Sequence, residues 1–219
     1  MRPMPRDVKP GRPYDSSRRR ARADATREAI LVLARERFLA DGYAATTVGA
    51  IAQVAGVSIE TVYKAFGNKS GIARAVFDRA LAGEGPVSTG ERAAIVKRDE
   101  HDPRRRLRAF GGFVAEVTPR VAPVMLVLRA AAETDGEAAA VWQRINDDRL
   151  AGMRRDAEQL AAEGALRPGV SAEEAADVFW SFTSPELYDL FVLRRGWPAE
   201  RFGEWVGETF VATLLPPAA

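Results

Sequence analysis

The sequence predicts an all-α chain of about nine helices, with a three-helix head followed by a body of five or six. Three observations carry this. Apolar residues recur at three- and four-residue steps through almost every segment between the first helix and the last. Residues able to cap a helix start, Thr47, Ser58 and Ser171 among them, stand in front of those segments. No stretch alternates with period two strongly enough to compete as a strand. With 219 residues, 47% of them hydrophobic, the chain is long enough for one or two domains with real cores.

Residues 1–20 are rich in Pro and Arg, have almost nothing apolar to bury, and are expected to form a disordered basic arm. The first helix should run from about Ala23 to Asp41, with Ile30, Leu33, Ala34 and Phe38 on one face and Gly42 as its stop. Residues 46–69, TTVGAIAQVAGVSIETVYKAFGNK, then read as two short helices with Ile51, Ala52, Ala55, Val57, Val62 and Phe66 on one side. Where these helices cross, Ala52 is small. Gly56 can take the left-handed backbone of the bend, and the branched Val62 can plug the crossing. That is a helix-turn-helix pattern. A plain helical hairpin could share the spacing by chance, but the caps Thr47 and Ser58 and the basic surroundings agree with the sharper reading.

The block and its flanks resemble the TetR family of bacterial transcription regulators over roughly residues 24–80. The matching residues are Gly42-Tyr43, Thr46-Thr47-Val48, Ile51-Ala52, Ala55-Gly56-Val57-Ser58, Thr61-Val62-Tyr63, Phe66 and Asn68-Lys69. Gly49, Ala65 and Ser70-Gly71 depart from the basic residue, the histidine and the acidic pair common there. The resemblance implies a double-stranded DNA operator, a homodimer and a small-molecule effector as partners. It also implies DNA-binding roles for Thr46, Thr47, Tyr63 and Lys69, the last three at phosphates. Ser58, Ile59, Thr61 and Lys64 are then candidates for base edges, with Ile59 able to meet a thymine methyl. Glu60 could accept from cytosine or simply favour the helix N-terminus. Charge agrees: residues 1–70 hold 13 Lys and Arg against 7 Asp and Glu, leaving 19 against 23 for the remainder. Arg18, Arg19, Arg20 and Arg22 read equally as a minor-groove arm or as a solvated tail.

A fourth helix should begin near Asn68 and continue through Ile72, Val76 and Leu81 as a connector. Residues 83–102 mix Gly, Pro and charge and are expected to form a surface loop, with at most a short turn around Ala93 to Lys97. From Pro103, with Asp102 as cap, a helix carries Leu107, Phe110, Val114 and Val117, until Pro119 and Pro123 interrupt it. A helix should follow from about Val121 to Thr134, and Gly136 should separate it from a long one through Val141, Trp142 and Leu160 that ends near Gly164. Ser171 and Glu174 form a capping box opening a helix to Arg195, kinked at Pro185. Gly196 closes it, and Pro198 starts the last helix. The expected domains are the arm 1–20, a helix-turn-helix domain 21–68, and a ligand-binding and dimerisation domain 69–219.

The last two helices are crowded with aromatics, which suggests a homodimer interface through Phe191, Phe202, Trp205, Val206 and Phe210, with some core packing shared among them. The middle helices carry more large inward residues than one seam needs. A ligand pocket is therefore expected among Phe110, Phe113, Val117, Met125, Leu128, Trp142, Ile145, Met153, Phe179 and Phe182, with Arg129, Glu133 and Arg149 as polar anchors. Cysteine is absent and the single histidine, His101, falls in a polar stretch, so no metal and no cofactor is expected. Asp147-Asp148 and Glu173-Glu174 are adjacent on helices and diverge, so no catalytic pair emerges and an enzyme is not expected. The most apolar run, Val121 to Ala132, contains Pro123 and Arg129, and the N-terminus has no signal-peptide core, which points to a cytoplasmic protein away from membranes. The function expected is a ligand-responsive regulator, a repressor released by an apolar or amphipathic effector. An architectural DNA-binding protein without sequence preference is the alternative.

Overall fold

The computed structural model describes residues 16–83, 85 and 87–217; most of the expected arm therefore lies outside the described residues. The rest is helical, and no strand occurs among the described residues. The head is α1 (Ser16–Ala45), α2 (Val48–Val54) and α3 (Ile59–Phe66), and α4 (Lys69–Ala82) connects it to the body. The body comprises α5 (Thr89–Asp99), α6 (Pro103–Ala132), α7 (Gly136–Ala162), α8 (Ala172–Phe182), the short α9 (Pro185–Tyr188) with a π-helical continuation over Asp189–Arg194, and α10 (Ala199–Leu214).

Local sequence explains most boundaries. Gly42 turns out of helical geometry at φ 81°, Gly56 makes the bend of the helix-turn-helix at φ 65°, and Gly196 closes the π-helical segment at φ 69°. Thr47, Ser58 and Asn68 each accept a backbone N–H of the first turn of α2, α3 and α4. Asp102, Asp135 and Ser171 do the same for α6, α7 and α8, and Ser171 with Glu174 completes the expected capping box.

Four expectations are corrected. Residues 16–20, assigned to the disordered arm, extend α1: Ser16–Arg20 continue its helix, since Arg and Ala are good helix formers and an exposed helix end needs no apolar face. The expected loop at 83–102 contains α5. Ser88 accepts from Glu91 N, and the Glu91 carboxylate accepts from Ser88 N at 2.8 Å, a second S-x-x-E capping box. Pro119 and Pro123 do not interrupt α6, which runs unbroken for 30 residues. Packing outweighs the lost donors: Val114, Thr118, Val121, Ala122, Val124 and Met125 around the prolines are all buried. Finally, Pro185 ends one helix and starts another rather than kinking one. Thr183 closes α8, and Ser184 caps α9 with Pro185 in its first turn, the position where a missing N–H is harmless.

Two apolar clusters hold the molecule together. The first joins Ile30, Phe38, Ile51, Val62, Ile72 and Val76 of the head and connector to Val124, Met125, Leu128, Val141 and Ile145 of the body. The second packs Leu107, Val114, Leu160 and Phe179 against Phe202, Val206 and Phe210 of α10. α10 lies unusually close to α6. Cβ atoms built on Gly111 and Gly203 would each meet the other's carbonyl oxygen, and the one on Gly111 would also lie 3.0 Å from Gly207 Cα. Among the described residues one helix, α6, is long and apolar enough to cross a membrane. It is the central helix of the body, packed against α7 and α10.

Candidate nucleic-acid interface and body cavity

On the head, Ala52 and Val62 are buried at the crossing of α2 and α3, which leaves the opposite side of α3 facing outward. Ser58, Ile59, Thr61, Tyr63 and Lys64 all lie on that exposed side, with Ile59 48% and Tyr63 49% exposed. Thr47 is exposed beside them at the start of α2. Glu60 is held below the usual carboxylate range by its hydrogen bond to Ser58 and by its place at the N-terminus of α3. Two of the expected contact residues are not exposed. Thr46 is buried, and its hydroxyl donates to Gly42 O at 2.8 Å, so it ties the end of α1 and cannot reach DNA. Lys69 is half-buried: its ammonium lies 4.1 Å from the Tyr43 ring centroid and donates to Tyr43 O at 3.0 Å, which fixes its charge at the mouth of α4.

A feature the sequence reasoning missed sits alongside. Arg27 donates to Ala65 O at 2.6 Å, and its guanidinium lies 4.2 Å from the Phe66 ring centroid, clamping α1 across the end of α3. An open notch beside this clamp is lined by Arg19, Arg22, Arg27, Thr61 and Lys64. The arginines expected in a trailing arm thus sit on the first turns of a helix, next to the exposed side of α3.

In the body, a cavity of about 270 Å³ opens between α4, α5, α6 and α7. Phe110, Phe113, Val117, Met125, Arg149 and Met153 line it as expected. Leu128 and Ile145 do not; they are fully buried in the cluster that joins head and body, and Trp142 packs against the same cluster. Phe179 lines a much smaller neighbouring void with Phe110 and Phe113, and Phe182 stacks with Trp205 and Phe210. Arg129 is exposed and pairs with Glu186 at 2.6 Å. The cavity wall also includes Phe77 and Leu81 of the connector, Gly90 and Ala93 of α5, and Thr118, Thr183 and Pro185. Ser88-x-x-Glu91 was the sequence signal for the start of α5.

Phe202, Val206 and Phe210, expected at a dimer interface, are 0% exposed within the single chain and form the seam between α10 and α6. Phe191 and Trp205 are half-buried, their ring centroids 4.8 Å apart. The exposed apolar residues of this region are Leu190 and Leu193, at 49% and 53%.

Residues 30–76, which span the helix-turn-helix, match the model for bacterial regulatory proteins of the tetR family. The helix-turn-helix head is thus of the tetR type. Solved structures share the fold across about nine-tenths of the chain. NalD of Pseudomonas aeruginosa, the secondary repressor of the MexAB-OprM multidrug efflux pump, is 21% identical with a TM-score of 0.71, over 90% of this chain and 100% of its own. A putative transcriptional regulator from Saccharomonospora viridis in complex with choline is 15% identical, with a TM-score of 0.66 over 89% and 100%. The ketosteroid transcriptional regulator KstR2 of Mycobacterium tuberculosis is 19% identical, with a TM-score of 0.59 over 87% and 95%. No curated protein matches the chain. The match of its head to the tetR family supports a DNA-binding transcriptional regulator. Within that family its head has Gly49 on the first turn of α2, where a Cβ would lie 3.7 Å from Ile59.

Proposed function

We propose that the protein is a cytoplasmic repressor that binds an inverted-repeat operator as a homodimer and is released by a small apolar or amphipathic effector held in the body cavity. The observation that carries this is the cavity wall: Phe77 and Leu81 belong to α4, the helix that leads directly out of the head. An effector filling the cavity touches the connector itself, and any tilt of α4 changes where α3 points. Two heads of a dimer must sit about one DNA turn apart, or a multiple of it, to engage both half-sites, so a change of tilt is a change of affinity. The exposed Leu190 and Leu193, flanked by half-buried Trp197 and Trp205, support a dimer face on the π-helical segment in place of the buried side of α10.

On α3, Ile59, Thr61 and Lys64 read bases, while Thr47, Tyr63 and Lys69 hold phosphates. The test is fluorescence anisotropy on DNA flanking the protein's own gene, with and without hydrophobic compounds. A tenfold loss of DNA affinity corresponds to about 1.4 kcal/mol of coupling, and the same factor must appear as weaker effector binding to the DNA complex. A compound that binds free and DNA-bound protein equally well refutes the coupling. Binding that ignores DNA sequence at every salt concentration points instead to the architectural role.

A further inference from the structure

We propose that the body cavity takes an amphipathic carboxylate, its acid group on Arg149 and its chain against Phe77, Phe113, Val117 and Met125. The inference rests on the effector reading above and sharpens it to a chemical class.

The polar wall of the cavity consists of Thr118, Arg149 and Thr183. Both threonine hydroxyls already donate within the fold, Thr118 to Val114 O at 2.6 Å and Thr183 to Phe179 O at 2.8 Å. Arg149 differs. Its Nη1 donates to Asn146 Oδ1 at 3.0 Å, and its Nη2 reaches Thr183 O at 2.9 Å, Thr183 Oγ1 at 3.2 Å and Trp180 O at 3.3 Å. Every one of these acceptors is neutral. A guanidinium has about five N–H donors, so Nε–H and one Nη1–H are left over.

Among the described residues no carboxylate lies within ion-pair distance of Arg149. The acid that acts on it electrostatically, Glu186, is already paired with Arg129 at 2.6 Å. Burial pushes the Arg149 guanidinium down to about 10, so it remains a cation at neutral pH. The carbonyls of Trp180 and Thr183 at the end of α8 account for the orientation of Nη2, because a cation suits a helix C-terminus. They do not account for a charge without a counterion facing a largely apolar space. A carboxylate supplies both the missing charge and two acceptor oxygens in the geometry a guanidinium fork matches. The 270 Å³ cavity has room for a medium-length acyl chain.

The experiment titrates the full-length protein with decanoate and with methyl decanoate by calorimetry, and repeats both with Arg149→Met. The wild type should prefer the acid by about tenfold or more, the range of a charged hydrogen-bonded contact. In Arg149→Met the two probes should bind alike, with the ester's affinity within about twofold of wild type. Equal binding of acid and ester to the wild type, or a preference for the acid that survives in Arg149→Met, overturns the inference and leaves the effector reading standing. If neither probe binds the wild type, the inference falls and the medium-chain form of the effector reading falls with it. Should the methionine variant fail to fold, Arg149→Lys replaces it. Charge persists there without the fork, so the acid-to-ester ratio should drop several-fold, and an unchanged ratio is the refuting result.

Discussion

Replacing Gly203 by Ala is expected to destabilise the protein by roughly 2 kcal/mol, although the same change in a helix interior normally stabilises by about 0.5–1 kcal/mol. A Cβ at Gly203 would overlap the Gly111 carbonyl oxygen and lie 2.6 Å from Ala115 Cβ and 2.9 Å from Ala115 N. These neighbours are backbone atoms and a methyl group, with no flexible side chain to swing aside. Restoring ordinary contact means moving α10 away from α6 by about 1 Å, which loosens the attraction across the seam. α10 holds Phe202, Val206, Phe210 and Leu214, all 0% exposed, so the whole seam loosens together. Overpacking of this kind costs about 1–3 kcal/mol, more than the helix-propensity gain. At about 2–4 °C per kcal/mol for a chain of this size, the melting midpoint should fall by roughly 4–8 °C. Gly112→Ala is the matched control: it lies one residue along α6 from Gly111, and its Cβ meets nothing within 4 Å. It should raise the midpoint by about 1–4 °C. Circular-dichroism melts at one fixed protein concentration read both, and a Gly203→Ala variant that melts at or above wild type refutes the close-crossing argument.

Three further changes test the head and the dimer face. Gly49→Arg adds a cation beside Ile59 on the first turn of α2. It should tighten binding to all DNA and steepen the log-log salt dependence by about one unit; an unchanged slope in anisotropy titrations would place Gly49 off the DNA face. Thr46→Val removes the buried hydroxyl bonded to Gly42 O and should lower stability by about 1 kcal/mol while leaving that slope unaltered; a change in slope would show Thr46 at the phosphates after all. Leu190→Glu combined with Leu193→Glu should convert the proposed dimer to a folded monomer by light scattering, since both side chains are exposed in the single chain; a variant that stays dimeric moves the interface elsewhere.

The head was legible because its requirements are local. A small residue at a crossing, a glycine at a bend, and a hydroxyl three residues ahead of the amide it caps are all spelled within residues 46–69. Thr46 was misread because Thr46 and Thr47 are identical in type and only the fold decides which one turns inward. The body was harder because its decisive contacts are long-range. Pro119 and Pro123 argue for a break by local rules, yet burial of α6 against α7 and α10 holds the helix through both. The aromatics of α10 do not say whether they face their own chain or another. Gly203 and Gly207, four residues apart, bear on the answer: such a pair lets one helix approach closely, and here the approach is to α6. The cavity was half-found. The large side chains of α6 were visible in its periodicity, but the wall supplied by α4 and α5 depends on chain folding that no spacing encodes.

How an effector at Phe77 and Leu81 could act on α3 follows from where α4 is stiff and where it is loose. The head and the body's near side share one apolar cluster that runs without interruption from Ile51 and Val62 through Ile72 and Val76 to Met125 and Ile145. The head therefore does not swing on a flexible linker; it moves as α4 moves. Polar ties hold α4 on its flanks: Arg79 pairs with Glu28 of α1, Arg74 with Asp148 of α7 at 2.9 Å, and Arg120 of α6 donates to Ala80 O at 3.0 Å. The two ion pairs are partly exposed, and such pairs are worth about 0–1 kcal/mol each. Resistance to tilt therefore comes mainly from the packing of Val76, Phe77 and Ala80, and Phe77 is also a wall of the cavity. A 14-residue helix is about 21 Å long, so a tilt of about 8° at the cavity end displaces the other end by about 3 Å. That is enough to misplace hydrogen bonds to base edges in one half-site. The side chain that sets the stiffness of the connector is thus the one an effector must touch.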